Sequence, residues 1–254
     1  MKKVFVIIFC ILVISDIIFE FIKSPILLFV FKNCIPLYLA AILGYFRKFH
    51  FTRNDYLLLI IFIFLMLGLN FGYYFNKEKN YIPLILIIYF IEIQLQIKIL
   101  KNHTNIILST YKQDFIKIII IFSLGLFIII MFFPQFSFIN QILLFINVLQ
   151  HAIFISIVFR NSRLNSAISI SLWLLILSDI SSLIHMVIFK NPYDYAITMV
   201  LVYFSKFYFL IGYLKLKKLI TDGKTFEIVE NKFVFRGWWS LEWKNQKNTL
   251  ISFI

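Results

Sequence analysis

The chain has few of the residues that build soluble, disulfide-linked or metal-binding domains. Among its 254 residues are 2 cysteines, 7 glycines and 5 prolines, and only 15% of the residues are charged. Soluble domains carry about 25% charged residues, so this composition argues against a soluble helical core. Cys10 and Cys34 lie in apolar runs, where they indicate neither a disulfide framework nor a metal site.

Long apolar runs dominate instead. Hydrophobic residues make up 61% of the chain and the mean hydropathy is +0.91. A helix needs roughly 20 apolar residues to cross a bilayer. The sequence therefore predicts an all-α, polytopic membrane helix bundle with about eight transmembrane helices, without a cofactor, in residues 1–214. The predicted spans are 4–22, 25–46, 56–75, 81–99, 116–133, 136–159, 166–189 and 195–214. The first resembles a signal peptide, but no small-residue cleavage site follows it, so we expect it to stay uncleaved.

The basic residues predict the orientation of the bundle. The net charge is +13, and the Lys and Arg residues lie between apolar runs, which favours lipid headgroups and not nucleic acid as partners. Alternate loops carry nine and four of them, so the positive-inside rule predicts an inner-membrane protein with both termini in the cytoplasm. The nine are Lys2, Lys3, Arg47, Lys48, Arg53, Lys101, Lys112, Arg160 and Arg163; the four are Lys23, Lys77, Lys79 and Lys190.

Residues 215–254 form a separate cytoplasmic tail in this interpretation. Phe226 to Phe235 partly alternates apolar and polar residues, which predicts a strand or hairpin. Trp238, Trp239 and Trp243 stand among basic residues, a pattern typical of the membrane–water interface. The alternative is a disordered tail, although such tails are usually poor in aromatic residues.

Several ionisable residues fall inside the predicted spans, where an isolated charge is costly. Asp179 and Lys206 lie on consecutive spans, each ~17 Å from the nearer surface at ~1.5 Å per residue, so we expect an ion pair between them. Glu92 and Asn147 reach a similar depth. On span one, Asp16 and Glu20 are four residues apart, so their charges repel; either one of them is protonated, or Lys23 or Lys32 pairs with them.

Helical spacing places further polar residues beside these groups, and two interpretations are open. The residues are either helix–helix hydrogen-bonding contacts or the wall of a functional intramembrane cavity. No metal-ligand spacing, P-loop, nucleotide fingerprint or nucleophile elbow accompanies them. The polar stripes are Ser171, Ser178, Ser182 and His185 on span seven, Asn140, Asn147 and His151 on span six, and Tyr89, Glu92 and Gln96 on span four.

Two segments resemble the YhhN-like family of eight-span proteins, which includes the lysoplasmalogenases. Leu174 to Asp179 is similar to the Ser-Asp motif of the family's seventh span, and Val202 to Gly212 is similar to its aromatic-rich last span. Lys32 to Leu37 loosely resembles the family's Lys-Pro-Leu near the second span. The chain departs from the family at Gly68-Leu69-Asn70, where the family has Gly-Asp, and it lacks the fourth-span His.

The resemblance implies hydrolysis of the vinyl-ether bond of lysoplasmalogens in an intramembrane cavity. This reaction needs a proton donor and a second carboxylate that stabilises the cationic intermediate. We expect Asp179 to be one catalytic carboxylate and Glu92 or Asp16 the other. Two alternatives remain: a non-catalytic lipid-binding or regulatory protein of the same fold, and a small transporter. The expected substrate-binding residues are Lys206, Asn147, Ser178, Ser182, His151 and Tyr203.

Overall fold

The computed structural model describes most of the chain. The described residues are 3–22, 24–74, 82–103, 111–132, 137–161, 166–187, 192–221, 225–229 and 232–236.

Within these residues the chain folds into eight helices followed by a two-stranded antiparallel hairpin. The helices are α1 (Lys3–Ile22), α2 (Pro25–Arg47), α3 (Arg53–Tyr74), α4 (Ile82–His103), α5 (Tyr111–Phe132), α6 (Phe138–Asn161), α7 (Ser166–Val187) and α8 (Pro192–Thr221). The strands are β1 (Thr225–Val229) and β2 (Lys232–Arg236).

The helices confirm the prediction of an all-α bundle, and six of them, not eight, qualify as membrane spans in the described residues. In the described part of the chain, six helices are long and apolar enough to cross a bilayer: α1, α2, α3, α4, α6 and α8. The stretches that qualify as apolar in α5 and α7 are shorter, Ile118–Phe127 and Ser166–Ser182. Apolar side chains also point outward from the bundle; Ile26 on α2 and Phe127 on α5 are 75% and 65% exposed. Such surfaces fit a hydrocarbon environment.

Helix α2 shows how local sequence sets the boundaries. Pro25 stands at its first turn, where the missing N–H is not needed. The helix starts at the predicted residue, Pro25, and continues through Pro36 without a break. The interior proline therefore does not shorten it. The helix ends at Arg47, and its capping residue Lys48 adopts the left-handed region with φ 49°, followed by Phe49 with φ 59°.

The helices pack side by side around a central gap. Helices α7 and α8 pack along each other, and α8 also contacts α1 and α2. Helix α2 packs on α1 and α3, α3 on α4, α4 on α6, and α6 on α5 and α7. The α1–α8 contact is aromatic: the rings of Phe9 and Phe207 stack with centroids 4.2 Å apart.

The hairpin agrees with the alternation in the tail sequence. Phe226 pairs with Phe235 in the antiparallel register of β1 and β2. The three tail tryptophans, Trp238, Trp239 and Trp243, lie outside the described residues, so their predicted interfacial position stays a prediction.

Candidate active site

A cavity of about 500 Å³ lies inside the bundle of helices. Its size is typical of pockets for small molecules. Most of its wall is apolar, with contributions from α3, α4, α5, α6, α7 and α8. Polar side chains are confined to a minority of the wall: Tyr89, Glu92, Asn147, His151, Trp173, Ser178, Asp179, Ser182 and Thr198.

Asp179 is the centre of the polar region. The Tyr89 hydroxyl donates a hydrogen bond to its Oδ1 at 2.6 Å. His151 Nε2 lies 2.9 Å from its Oδ2, and the Asp179 side chain is 33% exposed. The carboxyl group is thus held by two partners from α4 and α6 while it still faces open space in the cavity.

The contact between His151 and Asp179 brings together two groups that can each carry a proton. His151 Nδ1 lies 2.8 Å from the backbone oxygen of Asn147. A carbonyl oxygen only accepts, so Nδ1 must carry the proton of that bond. Nε2 lies 2.9 Å from Asp179 Oδ2 but does not have the geometry of a hydrogen bond. A second proton, on the imidazole or on the carboxyl group, would turn this contact into a hydrogen bond.

Glu92 and Lys206 form a second ion pair next to this group. Their side chains are 4% and 1% exposed. Gln96 donates a further bond to Glu92 Oε1 at 3.3 Å. Glu92 lines the cavity, and Lys206 is not among the lining residues. Lys206 therefore neutralises Glu92 from behind the wall.

This pairing corrects two expectations about Lys206. The predicted Asp179–Lys206 ion pair is wrong, because Lys206 pairs with Glu92 and Asp179 pairs with His151. The expected direct contact of Lys206 with a substrate is not supported either, since its ammonium lies behind Glu92. Residue counting had given the depth of both groups, but depth does not fix the direction in which a side chain leaves its helix.

Two other predicted residues lie away from the cavity. Tyr203 donates a hydrogen bond to Asp16 Oδ2 at 2.8 Å, and neither residue is among those that line the cavity. Asp16 therefore does not supply its second carboxylate, and Tyr203 does not contact its contents. The reason is the rotation of α8, because the adjacent Val202 faces the cavity and directs Tyr203 toward α1.

The remaining polar residues divide between the cavity wall and helix contacts. Asn147 does both: it lines the cavity, and its amide donates to the Leu86 oxygen on α4 at 3.4 Å. Ser178 donates to the Leu175 oxygen at 2.7 Å within its own helix. Ser182 lies on the wall. The helix-contact interpretation holds for Ser171, which bonds Ser205 on α8. The structure does not describe the side chain of His185.

The third-span departure from the family pattern has a structural counterpart. Asn70 donates hydrogen bonds to Asn33 Oδ1 at 2.8 Å and to the Met66 oxygen at 2.7 Å. Gly68 lines the cavity, whereas Asn70 is not among the lining residues. Asn70 thus joins α3 to α2, and Glu92 is the second carboxylate of this wall.

Sequence reasoning missed a cluster at the start of α3. Asp55 is fully buried and accepts bonds from Arg47 Nε at 2.9 Å, the Thr52 hydroxyl at 2.6 Å and the Tyr213 hydroxyl at 2.6 Å. The spacing of Thr52 and Asp55 before an apolar run is a helix-start signal that could have revealed part of it. The cluster ties α2, α3 and α8 together.

Comparisons with known proteins identify no relative of this chain. No protein-family model matches the chain, and neither curated proteins nor solved structures give a match. Among the described residues, no group of three or more His, Cys, Asp and Glu side chains is placed to hold a metal ion. The likeness to YhhN-like proteins is therefore carried by the sequence motifs alone.

Proposed function

We propose that this protein is an intramembrane hydrolase that cleaves the vinyl-ether bond of lysoplasmalogen-like lipids. The observation that carries the proposal is the 2.9 Å contact of His151 with Asp179, two groups that can carry a proton, at the wall of an apolar cavity. An acid with an exchangeable proton is what the first step of vinyl-ether hydrolysis requires. The apolar wall suits the hydrocarbon chain of the lipid.

In the proposed reaction, the proton moves from the His151–Asp179 pair to the vinyl carbon that is not bonded to oxygen. The carbon bonded to oxygen becomes an oxocarbenium cation, and water adds to it with loss of a proton back to the pair. The resulting hemiacetal breaks its carbon–oxygen bond to the glycerol. The products are a fatty aldehyde and the free glycerol hydroxyl of the head group, so one water is consumed and no net proton.

Glu92 and Tyr89 assist in this scheme. Glu92 lies on the wall as the anion of its pair with Lys206, so it stabilises the positive charge that develops on the substrate. Tyr89 donates to Asp179 Oδ1 at 2.6 Å and fixes the carboxyl group with Oδ2 toward His151. Tyr89 therefore acts as a positioning residue, and the catalytic residues are Asp179, His151 and Glu92.

The proposal includes the predicted membrane arrangement. All eight helices span the inner membrane and both termini lie in the cytoplasm, as the distribution of basic residues indicates. Trp173 and Ile180 line the cavity and are 52% and 40% exposed. They mark a side of the bundle that faces lipid, so the substrate enters from the bilayer and membrane lipids are the partners of this protein.

A second candidate function is lipid binding without catalysis. It is favoured by Asn70, which stands where the family resemblance places a carboxylate and is engaged with Asn33 at 2.8 Å. Under this alternative the cavity holds the same amphiphile, and the polar contacts orient its head group.

The test is aldehyde release from a lysoplasmalogen by the purified protein in lipid nanodiscs. Asp179→Asn removes the acidic proton but keeps a hydrogen-bonding side chain, and we expect a loss of roughly 100-fold or more in rate. Tyr89→Phe should lower the rate through misplacement of Asp179. Tyr38→Phe is the matched control, since its hydroxyl bonds the Phe5 oxygen at 3.0 Å between α1 and α2, and its rate should be unchanged.

A saturated ether analogue separates the two candidate functions. It has the same chain and head group but no vinyl bond, so it binds without reacting. If the wild-type protein binds the analogue and releases no aldehyde from the lysoplasmalogen, the hydrolase proposal is wrong and the lipid-binding function stands.

A further inference from the structure

A second buried charge cluster lies between α1, α2 and α8, on the side of α8 away from the cavity. Lys32 Nζ is 3.0 Å from Glu20 Oε2 and 3.7 Å from Asp16 Oδ2. Tyr203 donates to Asp16 Oδ2 at 2.8 Å. The side chains of Asp16 and Lys32 are 4% and 1% exposed, and that of Glu20 is 21% exposed. The proposed hydrolysis uses none of these residues.

Among the described residues, the charges of this cluster do not balance. The carboxylates of Asp16 and Glu20 share the ammonium group of Lys32, and the hydroxyl of Tyr203 is neutral; Lys23 lies outside the described part of the chain. The cavity cluster differs, because there Lys206 neutralises Glu92 and His151 contacts Asp179. An uncompensated negative charge within an apolar bundle is costly.

The unsatisfied atom is Asp16 Oδ1. It is buried and has no hydrogen-bond partner in the described structure, whereas Oδ2 is held by Tyr203 and Lys32. A carboxyl group that carries a proton avoids a bare anionic oxygen in this position. Glu20, which is partly exposed near the end of α1, gives the cluster a route to the membrane surface.

We propose that Asp16, Glu20, Lys32 and Tyr203 form a second intramembrane site, which binds one proton exchanged at the membrane face nearest Glu20. The proton resides on the Asp16–Glu20 pair, and Lys32 is the fixed cation between them. Intramembrane carboxylates with such partners are typical of proton-binding sites in membrane proteins. The site does not depend on the proposed hydrolase function.

The proposal predicts how each substitution changes the number of protonated carboxyl groups. Removing a carboxyl group lowers this number by one, whereas removing the lysine raises it by one. Asp16→Asn leaves the neutral pair of Glu20 and Lys32, so one protonated carboxyl group is lost. Glu20→Gln leaves Asp16 with Lys32 and removes one as well. Lys32→Met leaves two carboxyl groups without a cation, so both are protonated and one is gained.

The measurement is infrared difference spectroscopy of the full chain in nanodiscs at neutral pH, counting carboxylic C=O bands that shift in D₂O. Tyr38→Phe is the control, since it removes a hydroxyl between the same two helices without changing charge; its band count should equal that of the wild type. Glu20→Gln is the second variant in case Asp16→Asn does not fold. Glu20 is partly exposed, so its substitution should disturb the packing less. An unchanged band count in Glu20→Gln, or no added band in Lys32→Met, would overturn the proposal.

Discussion

The pairing of Lys206 with Glu92 gives the most direct test of the cavity's architecture. Both side chains are almost fully buried, at 1% and 4% exposure. Removing one partner of a buried ion pair leaves an uncompensated charge and costs about 3–5 kcal/mol. Lys206→Met should therefore lower the free energy of unfolding by about this amount. For a chain of this size that is a fall of roughly 6–20 °C in the midpoint of thermal unfolding.

The double variant Glu92→Gln with Lys206→Met removes both charges together. Replacing a whole buried pair by uncharged residues is often close to neutral, so we expect the double variant to regain most of the lost stability. The control is Asp179→Asn with Lys206→Met. Asp179 contacts His151 at 2.9 Å and not Lys206. The control variant therefore still contains Glu92 without its cation, and we expect no recovery of stability.

The assay is thermal unfolding of the four proteins in one detergent, followed by tryptophan fluorescence and by light scattering. Recovery by Asp179→Asn equal to that by Glu92→Gln would show that Lys206 serves both carboxylates, contrary to the geometry. An unchanged midpoint for Lys206→Met would refute the buried pair itself.

Three further predictions concern packing, the α3 cluster and topology. A Cβ at Gly125 would lie 2.6 Å from Val148 Cγ1, whereas at Gly68 the nearest atom is 3.7 Å away. Gly125→Ala should thus cost about 1–3 kcal/mol in thermal unfolding and be rescued by Val148→Ala, and Gly68→Ala should fold normally. Tyr213→Phe removes a 2.6 Å bond to a buried carboxylate and should cost about 1.5–3 kcal/mol, measured by the same assay. A reporter enzyme fused after Leu214 should be active on the cytoplasmic side; activity on the opposite side would contradict the predicted orientation.

The helices were predictable from sequence because one physical requirement dominates them. A segment inside a bilayer must be apolar and must satisfy its own backbone hydrogen bonds, so runs of roughly 20 apolar residues indicate helices directly. The helix that begins at Pro25 shows that even an interior proline and lysine did not obscure this signal. The clustering of Glu92, Asn147 and Asp179 on one cavity wall also followed from depth and helical spacing.

The partners of each charge were not predictable, since they depend on how helices rotate about their axes. Lys206 and Tyr203 are three residues apart on α8, yet Lys206 contacts α4 and Tyr203 contacts α1. Sequence spacing within one helix cannot tell which neighbouring helix lies against each face. Of the two cations that the sequence offered to Asp16, Lys32 contacts it because α2 packs along α1, and Lys23 lies outside the described residues.

Polar contacts across the cavity bond α4 and α6 to α7 and α8. Tyr89 and His151 hold Asp179, and Glu92 holds Lys206. Inside a bilayer no water is at hand to replace these bonds when they break. Under the proposed function, an amphiphile that brings its own donors and acceptors exchanges with them, whereas a plain hydrocarbon has nothing to offer in return. The polar contacts would thus discriminate between amphiphiles and hydrocarbons at the binding step, before any bond in the lipid is broken.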